Sequence, residues 1–360
     1  MVRRKHVRQK LRIRWVILLF LLVLIVGLTV GIYAYKLLFA PSVSVKEENG
    51  VTYLYIPTGA TFERVVEDLC EQGIVSDCEA FKWLARQMNY HKHVYPGRYR
   101  IDDDMSYPEL IRMLRSGRQE PLILTWRKFR FLPQIAGFFG KHLEPDSQQI
   151  IKVLTDTIFL AKYGLTPQTV LAIFIPDTYE FLWNTSPEQL IDRMYREYEN
   201  FWTEERLAKA KKIGLSPMQV MILASIVESE TYRVDEMPII AGVYLNRLRK
   251  GMRLQADPTI KYALGDWSIR RITWKMLEVE SPYNTYKYKG LPPGPIGTPS
   301  KQAIDAVLNA TKHDFLFFCA RTDGSGYHDF SRTFQEHLAC ARRWRQYLNQ
   351  KIRQTKQEQS

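Results

Sequence analysis

The run LSPMQVMILASIVESET, Leu215 to Thr231, carries two carboxylates, Glu228 and Glu230, at the close of an almost wholly apolar stretch. Ser216 can cap a helix here, Pro217 fits its first position and Gln219 completes an S-x-x-Q capping box. The body is apolar on every side, which predicts a helix buried inside a sizeable domain. By helical spacing Ala224 and Ser225 lie one turn before Glu228 and Met221 two turns before it, so small or apolar side chains line the face from which that carboxylate projects. Desolvation and the negative end of the helix dipole both disfavour the anion, so its pKa is predicted to rise toward the range of a proton donor near neutral pH. Such an acid could protonate a leaving glycosidic oxygen. The plainer alternative is a buried structural carboxylate paired with an arginine such as Arg247. Glu230, roughly 200° further round the helix, is expected to face elsewhere in a supporting or surface role.

Further polar groups follow in order. A helix opening near Pro238 and closed by Gly251 carries Asn246 and Arg247 side by side. In MRLQADPTIKYALG, Gln255 and Asp257 precede Pro258, which should push Asp257 toward an extended backbone. The stretch SPYNTYKYKGLPPGPIGTPS brings Asn284, Tyr286, Pro292, Pro293, Gly294 and Thr298 into one long loop. Aromatic faces, amides and hydroxyls on a proline-stiffened loop suit a sugar, although a rigid connector has the same composition. His328 lies in YHDFS on the returning strand of a hairpin turned at Asp323-Gly324. No G-x-S-x-G elbow surrounds Ser331, so a serine hydrolase is not indicated. No zinc-type spacing of Cys or His occurs, and no metal or organic cofactor is expected.

The elements that position these groups fall into an α+β chain of several parts. Trp15 to Tyr35 contains no charged residue and is long enough for the roughly 20 residues of a transmembrane helix. It exceeds the apolar core of a signal peptide, and no A-x-A cleavage site follows. Residues 1–14 hold seven Lys or Arg and no acid, which predicts a cytoplasmic N-terminus, a single pass and an extracytoplasmic remainder. These seven, with a basic run after Arg342, account for nearly all of the net charge of +13. The middle is close to neutral, which argues against a nucleic-acid partner.

After a linker from Pro41, a strand (Val51 to Ile56), helices capped by Thr61 and by Ser76 or Asp77, a strand in YPGRYRI and a helix boxed by Ser106 and Glu109 form a compact module over 43–120. A mixed α+β region spans 121–345, including one long helix from Pro187 to about Lys212, and a polar tail covers 346–360. The four cysteines are expected to form two local disulfides, Cys70 with Cys78 and Cys319 with Cys340.

ASIVESET, VYLNRLRKGMRLQADPTIKYALG, YNTY followed by GLPPGPIGTPS, and the terminal YHDFS occur in an order that resembles the endolytic murein transglycosylases, the YceG-like or MltG-like family. The resemblance spans most of the chain, although IPDTY lacks the Trp often found before its proline. It implies that the module over 43–120 is LysM-like, that Glu228 holds the position of the family's essential glutamate, and that Gln255, Asp257, Asn284, Tyr286 and Pro292 to Gly294 line a glycan cleft, with His328 matching the family's histidine before Phe. It further implies a lyase of the cytoplasmic membrane that cuts the MurNAc-GlcNAc β-1,4 bond within new peptidoglycan strands. Such cutting leaves 1,6-anhydro ends and ends strand elongation beside penicillin-binding synthases. Two other readings stay open on the residues themselves: a muramidase using Glu228 with Asp257, and a non-catalytic LysM scaffold of the cell wall.

Overall fold

The computed structural model describes residues 2–45 and 50–358, apart from the side chains of 2–14, 37 and 348–358. The basic side chains from Arg3 to Arg14 lie outside the described residues, as does most of the expected polar tail, whose backbone continues as helix to Glu358. The chain is mixed helix and sheet and divides into two compact units: residues up to Leu122 with the returning segment Phe181–Asn184, and the remainder.

In the first unit α1 (Val2–Phe39) contains the apolar stretch Trp15–Lys36, whose 22 residues are long and apolar enough to cross a bilayer. The order strand, helix, helix, strand, helix then appears as expected. It comprises β1 (Val51–Ile56), α2 (Phe62–Glu71), α3 (Cys78–Gln87), β2 (Gly97–Asp102) and α4 (Tyr107–Ser116). Antiparallel pairing sets Val51 opposite Asp102 and Ile56 opposite Gly97. Leu54, Ile56, Tyr99 and Ile101 thereby fall on the inner face, against Leu69, Phe81 and Leu110 of the helices. Thr61 and Asp77 accept the third backbone N–H of their helices, and Glu109 Oε2 accepts from both the backbone and hydroxyl of Ser106. In the returning segment Trp183 sets its ring edge-on to Tyr55, a contact that no local pattern announced.

The second unit starts within β3 (Leu122–Thr125) and continues through α5 (Leu132–Phe139), α6 (Ser147–Leu154) and α7 (Thr157–Ala161) to β4 (Thr178–Phe181), which pairs with β3 and whose last residue belongs to the first unit. The single helix expected from Pro187 to Lys212 is instead two, α8 (Pro187–Phe201) and α9 (Glu204–Ile213). The break follows from Trp202 leaving helical ψ and from Thr203, whose side chain caps the new helix by accepting from the Arg206 N–H. The core is α10 (Pro217–Glu230), in which every residue from Val220 to Val227 is buried. Around it lie α11 (Met237–Arg249), α12 (Asp257–Ala263) and α13 (Lys301–Leu308). A hairpin of β5 (Phe317–Ala320) and β6 (His328–Ser331) leads into α14 (Phe334–Glu358).

Asp257 is the first residue of α12 rather than part of an extended segment, because Pro258 sits in the opening turn, where its missing N–H costs nothing, and the extended residue is Ala256.

One of the two expected disulfides is present. Cys70 and Cys78 are bonded, joining α2 to the start of α3. Cys319 and Cys340 are thiols, which corrects the second expectation. Their sulfurs donate toward the Ala320 carbonyl and Asp329 Oδ2, and burial with the neighbouring Cys340 pushes the Cys319 thiol up to about 12, withholding the thiolate that oxidation requires. Peptide mapping after alkylation of the unreduced protein should therefore return a Cys70–Cys78 bridge with Cys319 and Cys340 labelled only on unfolding. Replacing Cys70 and Cys78 by Ala should cost about 2 to 3 kcal/mol in denaturant unfolding, the chain-entropy value for so short a loop.

Candidate active site

Glu228 leaves the last turn of α10, as the capping box and apolar run predicted, with its side chain 17 % exposed. Its surroundings differ from those expected. Lys128 Nζ lies 2.7 Å from Oε2, and the Ser300 backbone N–H donates to Oε1 at 3.2 Å. A cation and a backbone donor at the N-terminus of α13 thus stabilise charge on a carboxylate that burial and the helix end oppose. Arg247, the partner considered from sequence, is engaged elsewhere.

Lys128 is placed by an aromatic nest. Trp126 stacks on Tyr179 at 4.7 Å and meets Phe129 and Phe139, fixing the segment between β3 and α5. Burial outweighs the attraction of Glu228 and lowers the hold of Lys128 on its proton. On the next residue but one, the Arg130 guanidinium covers the Trp267 ring at 3.3 Å.

The proline-rich loop is clamped to both sides of this pair. The Ile296 N–H donates to Ser225 Oγ on α10 at 3.0 Å, while Phe129 and Thr298 exchange two hydrogen bonds, N–H to Oγ1 at 2.9 Å and N–H to O at 2.8 Å. The approach is close enough to need glycine: a Cβ on Gly294 would stand 1.9 Å from the Gln168 carbonyl oxygen. Pro292 and Gly294 are buried in this packing and Pro293 is exposed. Thr298 therefore fastens the loop rather than facing solvent.

Glu230 does point away from Glu228, but into the protein. Tyr244 of α11, itself buried, donates to Oε1 at 2.6 Å. Burial, with a smaller contribution from Asp257, raises the carboxyl from an ordinary 4.5 to about 7. Asp257 accepts from the Tyr286 hydroxyl, and Arg247 reaches the carbonyls of Leu316, Arg253 and Leu254 and Gln255 Oε1. Gln255, Asp257, Tyr286 and Arg247 thus gather on the Glu230 side of α10.

Gln255 holds a left-handed backbone, φ 52°, and its N–H is tied to the Thr285 carbonyl. Asn284 is fully buried and spends its amide on its own loop, donating to Leu277 and Val279 carbonyls and accepting from the Tyr286 and Lys287 N–H groups. Asn246 similarly holds the carbonyls of His313 and Phe315. His328 Nδ1 lies 2.7 Å from Glu236 Oε2, and Glu236, nearly inaccessible, also accepts from the His328 backbone and Thr231. Among the described residues no cluster of three or more His, Cys, Asp or Glu could hold a metal ion.

Lys128, Ser300, Tyr244 and Glu236 were missed by sequence reasoning. For Lys128 the alternation of aromatic and basic residues in TWRKFRF was the available signal.

The sequence profile of the YceG-like family matches residues 54–343. The chain belongs to the YceG-like family. Among relatives, the endolytic murein transglycosylase of Bacillus subtilis (strain 168) is 29 % identical over 322 residues, covering 85 % of this chain and 88 % of its own length. That of Streptococcus pneumoniae serotype 2 (strain D39 / NCTC 7466) is 30 % identical over 321 residues, 79 % of this chain but only 58 % of the relative. A crystal structure of a YceG-like protein from Listeria monocytogenes superposes with a TM-score of 0.54 at 29 % identity, covering 81 % of this chain and 99 % of that one. The matched range of the YceG-like profile contains Lys128, Glu228, Glu230 and Ser300.

Because the Glu230 proton is kept in the folded protein after the unfolded chain has released it, the stability this proton confers is full below about pH 4 and is lost as pH rises through about 7. Denaturant unfolding at pH 5 and pH 8 should show wild type losing about 2 kcal/mol more than Glu230→Gln across that interval.

Proposed function

We propose that this YceG-like protein is a lytic transglycosylase, a carbon–oxygen lyase that cuts peptidoglycan glycan strands from within, with Glu228 as its catalytic acid and base. The names of the relatives support murein as substrate. The observation that carries the assignment to Glu228 is its arrangement: a mostly buried carboxylate bonded to Lys128 and to the Ser300 N–H, on a rigid helix end and beside a pre-shaped loop.

In the proposed reaction Glu228 acts first as acid, giving its proton to the oxygen leaving C1 of N-acetylmuramic acid, with Lys128 and the Ser300 N–H holding the carboxylate so formed. The C1–O bond to the next N-acetylglucosamine breaks. The Glu228 carboxylate then removes the proton of the C6 hydroxyl on the same muramic residue, whose oxygen closes on C1. The proton ends on Glu228, and the strand carries a 1,6-anhydro end. An intramolecular nucleophile needs no second carboxylate to activate water, unlike most hydrolases. Asp257, which a hydrolytic reading would enlist, accepts from Tyr286 and adjoins Glu230 instead. Gln255, Tyr286, Pro293 and His328 remain the proposed glycan-facing groups. Asn284, Asn246 and Arg247 act through the loops they hold.

The proposed organisation places 1–14 in the cytoplasm, 15–36 across the cytoplasmic membrane, a LysM-like glycan-binding module over 43–120 and the catalytic domain over 121–345 outside. The apolar stretch Trp15–Lys36 and the preceding basic run support this orientation. Cutting near the membrane would end strand elongation and would bring the protein beside the peptidoglycan synthases.

Product analysis on uncrosslinked strands tests the reaction. Wild type should release fragments with anhydro ends, one water lighter than hydrolysed reducing ends, and Glu228→Gln should cut at least about a hundredfold more slowly. Reducing ends of ordinary mass would instead support the muramidase, and unshortened strands the scaffold.

A further inference from the structure

We propose that the YceG-like chain carries a second binding site, a cavity between α9, α11 and the turn after α13, that takes a phosphate-bearing ligand. The cavity has a volume of about 890 Å³. Lys209 and Lys212 reach it from α9, Arg249 from α11 and Lys312 from the turn, against a single acid, Asp314. Between the two terminal basic runs the chain is close to neutral, so this convergence is a local concentration of charge rather than a share of a general excess.

The cations are largely unspent. Lys209 pairs with Glu205 at 2.7 Å, and Arg249 makes one long hydrogen bond, 3.4 Å, to Asn246 Oδ1. Lys212 and Lys312 are exposed and have no ion-pair partner among the described residues. The wall behind them is fixed. The Phe315 N–H donates to His313 Nδ1 at 3.1 Å, so Nε2 carries the ring proton and donates to the Ile239 carbonyl at 2.9 Å. With both ring nitrogens engaged, the orientation of this imidazole is fixed. Gly242 makes that seating possible, since a Cβ there would come within 2.5 Å of His313 Nε2 and the Thr311 carbonyl oxygen. Asn246 ties the same turn to α11.

Cations from three elements over a preformed cavity, two of them, Lys212 and Lys312, without an ion-pair partner among the described residues, match a multiply charged group with several acceptor oxygens. A lone carboxylate would be satisfied by one arginine fork. The concave shape and the apolar flank at Leu245 favour a discrete group over a flat lipid surface. The source of the phosphate rests on the murein reading: a nascent strand carries a diphosphate linking it to its lipid carrier, and the membrane offers phospholipid head groups of the same chemistry.

The test titrates inorganic pyrophosphate calorimetrically into the full chain in detergent at low salt. Saturable binding is expected, weakened about tenfold or more in the double variant Lys212→Gln/Lys312→Gln and unchanged in Glu228→Gln. Binding that survives in Glu228→Gln is independent of the catalytic assignment, so the two proposals fail separately. Lack of saturation, or equal affinity in wild type and the double variant, would overturn the site. The source is read from KM on strands with and without the terminal lipid diphosphate, and from binding to phosphatidylglycerol vesicles. Whichever of the two the double variant loses, with kcat unchanged, identifies it, and loss of neither overturns the proposal.

Discussion

A carboxylate at the closed end of an apolar helix is costly unless a partner and hydrogen bonds meet it, and the pairing of Glu228 with Lys128 supplies that partner. Much of the second unit serves this contact. The capping box and the unbroken apolar body hold α10 in the core, so the last turn has a fixed position. The Trp126 nest holds the strand-to-helix segment that delivers Lys128. The loop before α13 is drawn against both through Ser225, Phe129 and Gly294, and so brings the Ser300 N–H to the second carboxylate oxygen. Disturbing any of these would leave a partly buried charge without its full complement of donors.

The helix has two chemically different sides. On one, Glu228 meets a lysine whose proton is loosely held; on the other, burial pushes Glu230 toward its neutral form against the opposing pull of the Tyr244 hydroxyl, within a group that includes Asp257, Tyr286 and Arg247. The two carboxylates are neighbours in sequence yet belong to separate electrostatic environments. The role proposed for Glu228 is therefore one that Glu230 does not share.

Local signals explain what was legible beforehand. The caps at Thr61, Asp77, Ser106 and Ser216, the strand pair of the first module and the position of Glu228 follow from residues close together in the chain. The lysine partner lies 100 residues from Glu228, and no periodicity links them. Asn284 carries the functional groups of a sugar ligand but satisfies its own loop, a distinction that depends on which carbonyls the fold brings near. The break at Trp202 hid inside a continuous amphipathic pattern, with Thr203 as its only mark. Cys319 and Cys340 had suitable spacing and are neighbours in the fold, yet both are thiols.

The dependence of cleavage on the Lys128–Glu228 pair is tested most directly by the strand-cutting rate of Lys128→Met beside Lys128→Arg, both checked for native folding by circular dichroism. Lys128→Met, folded, should cut about a hundredfold or more slowly near neutral pH, and Lys128→Arg should recover part of the loss. A folded Lys128→Met that releases anhydro-ended fragments at the wild-type rate would contradict that dependence.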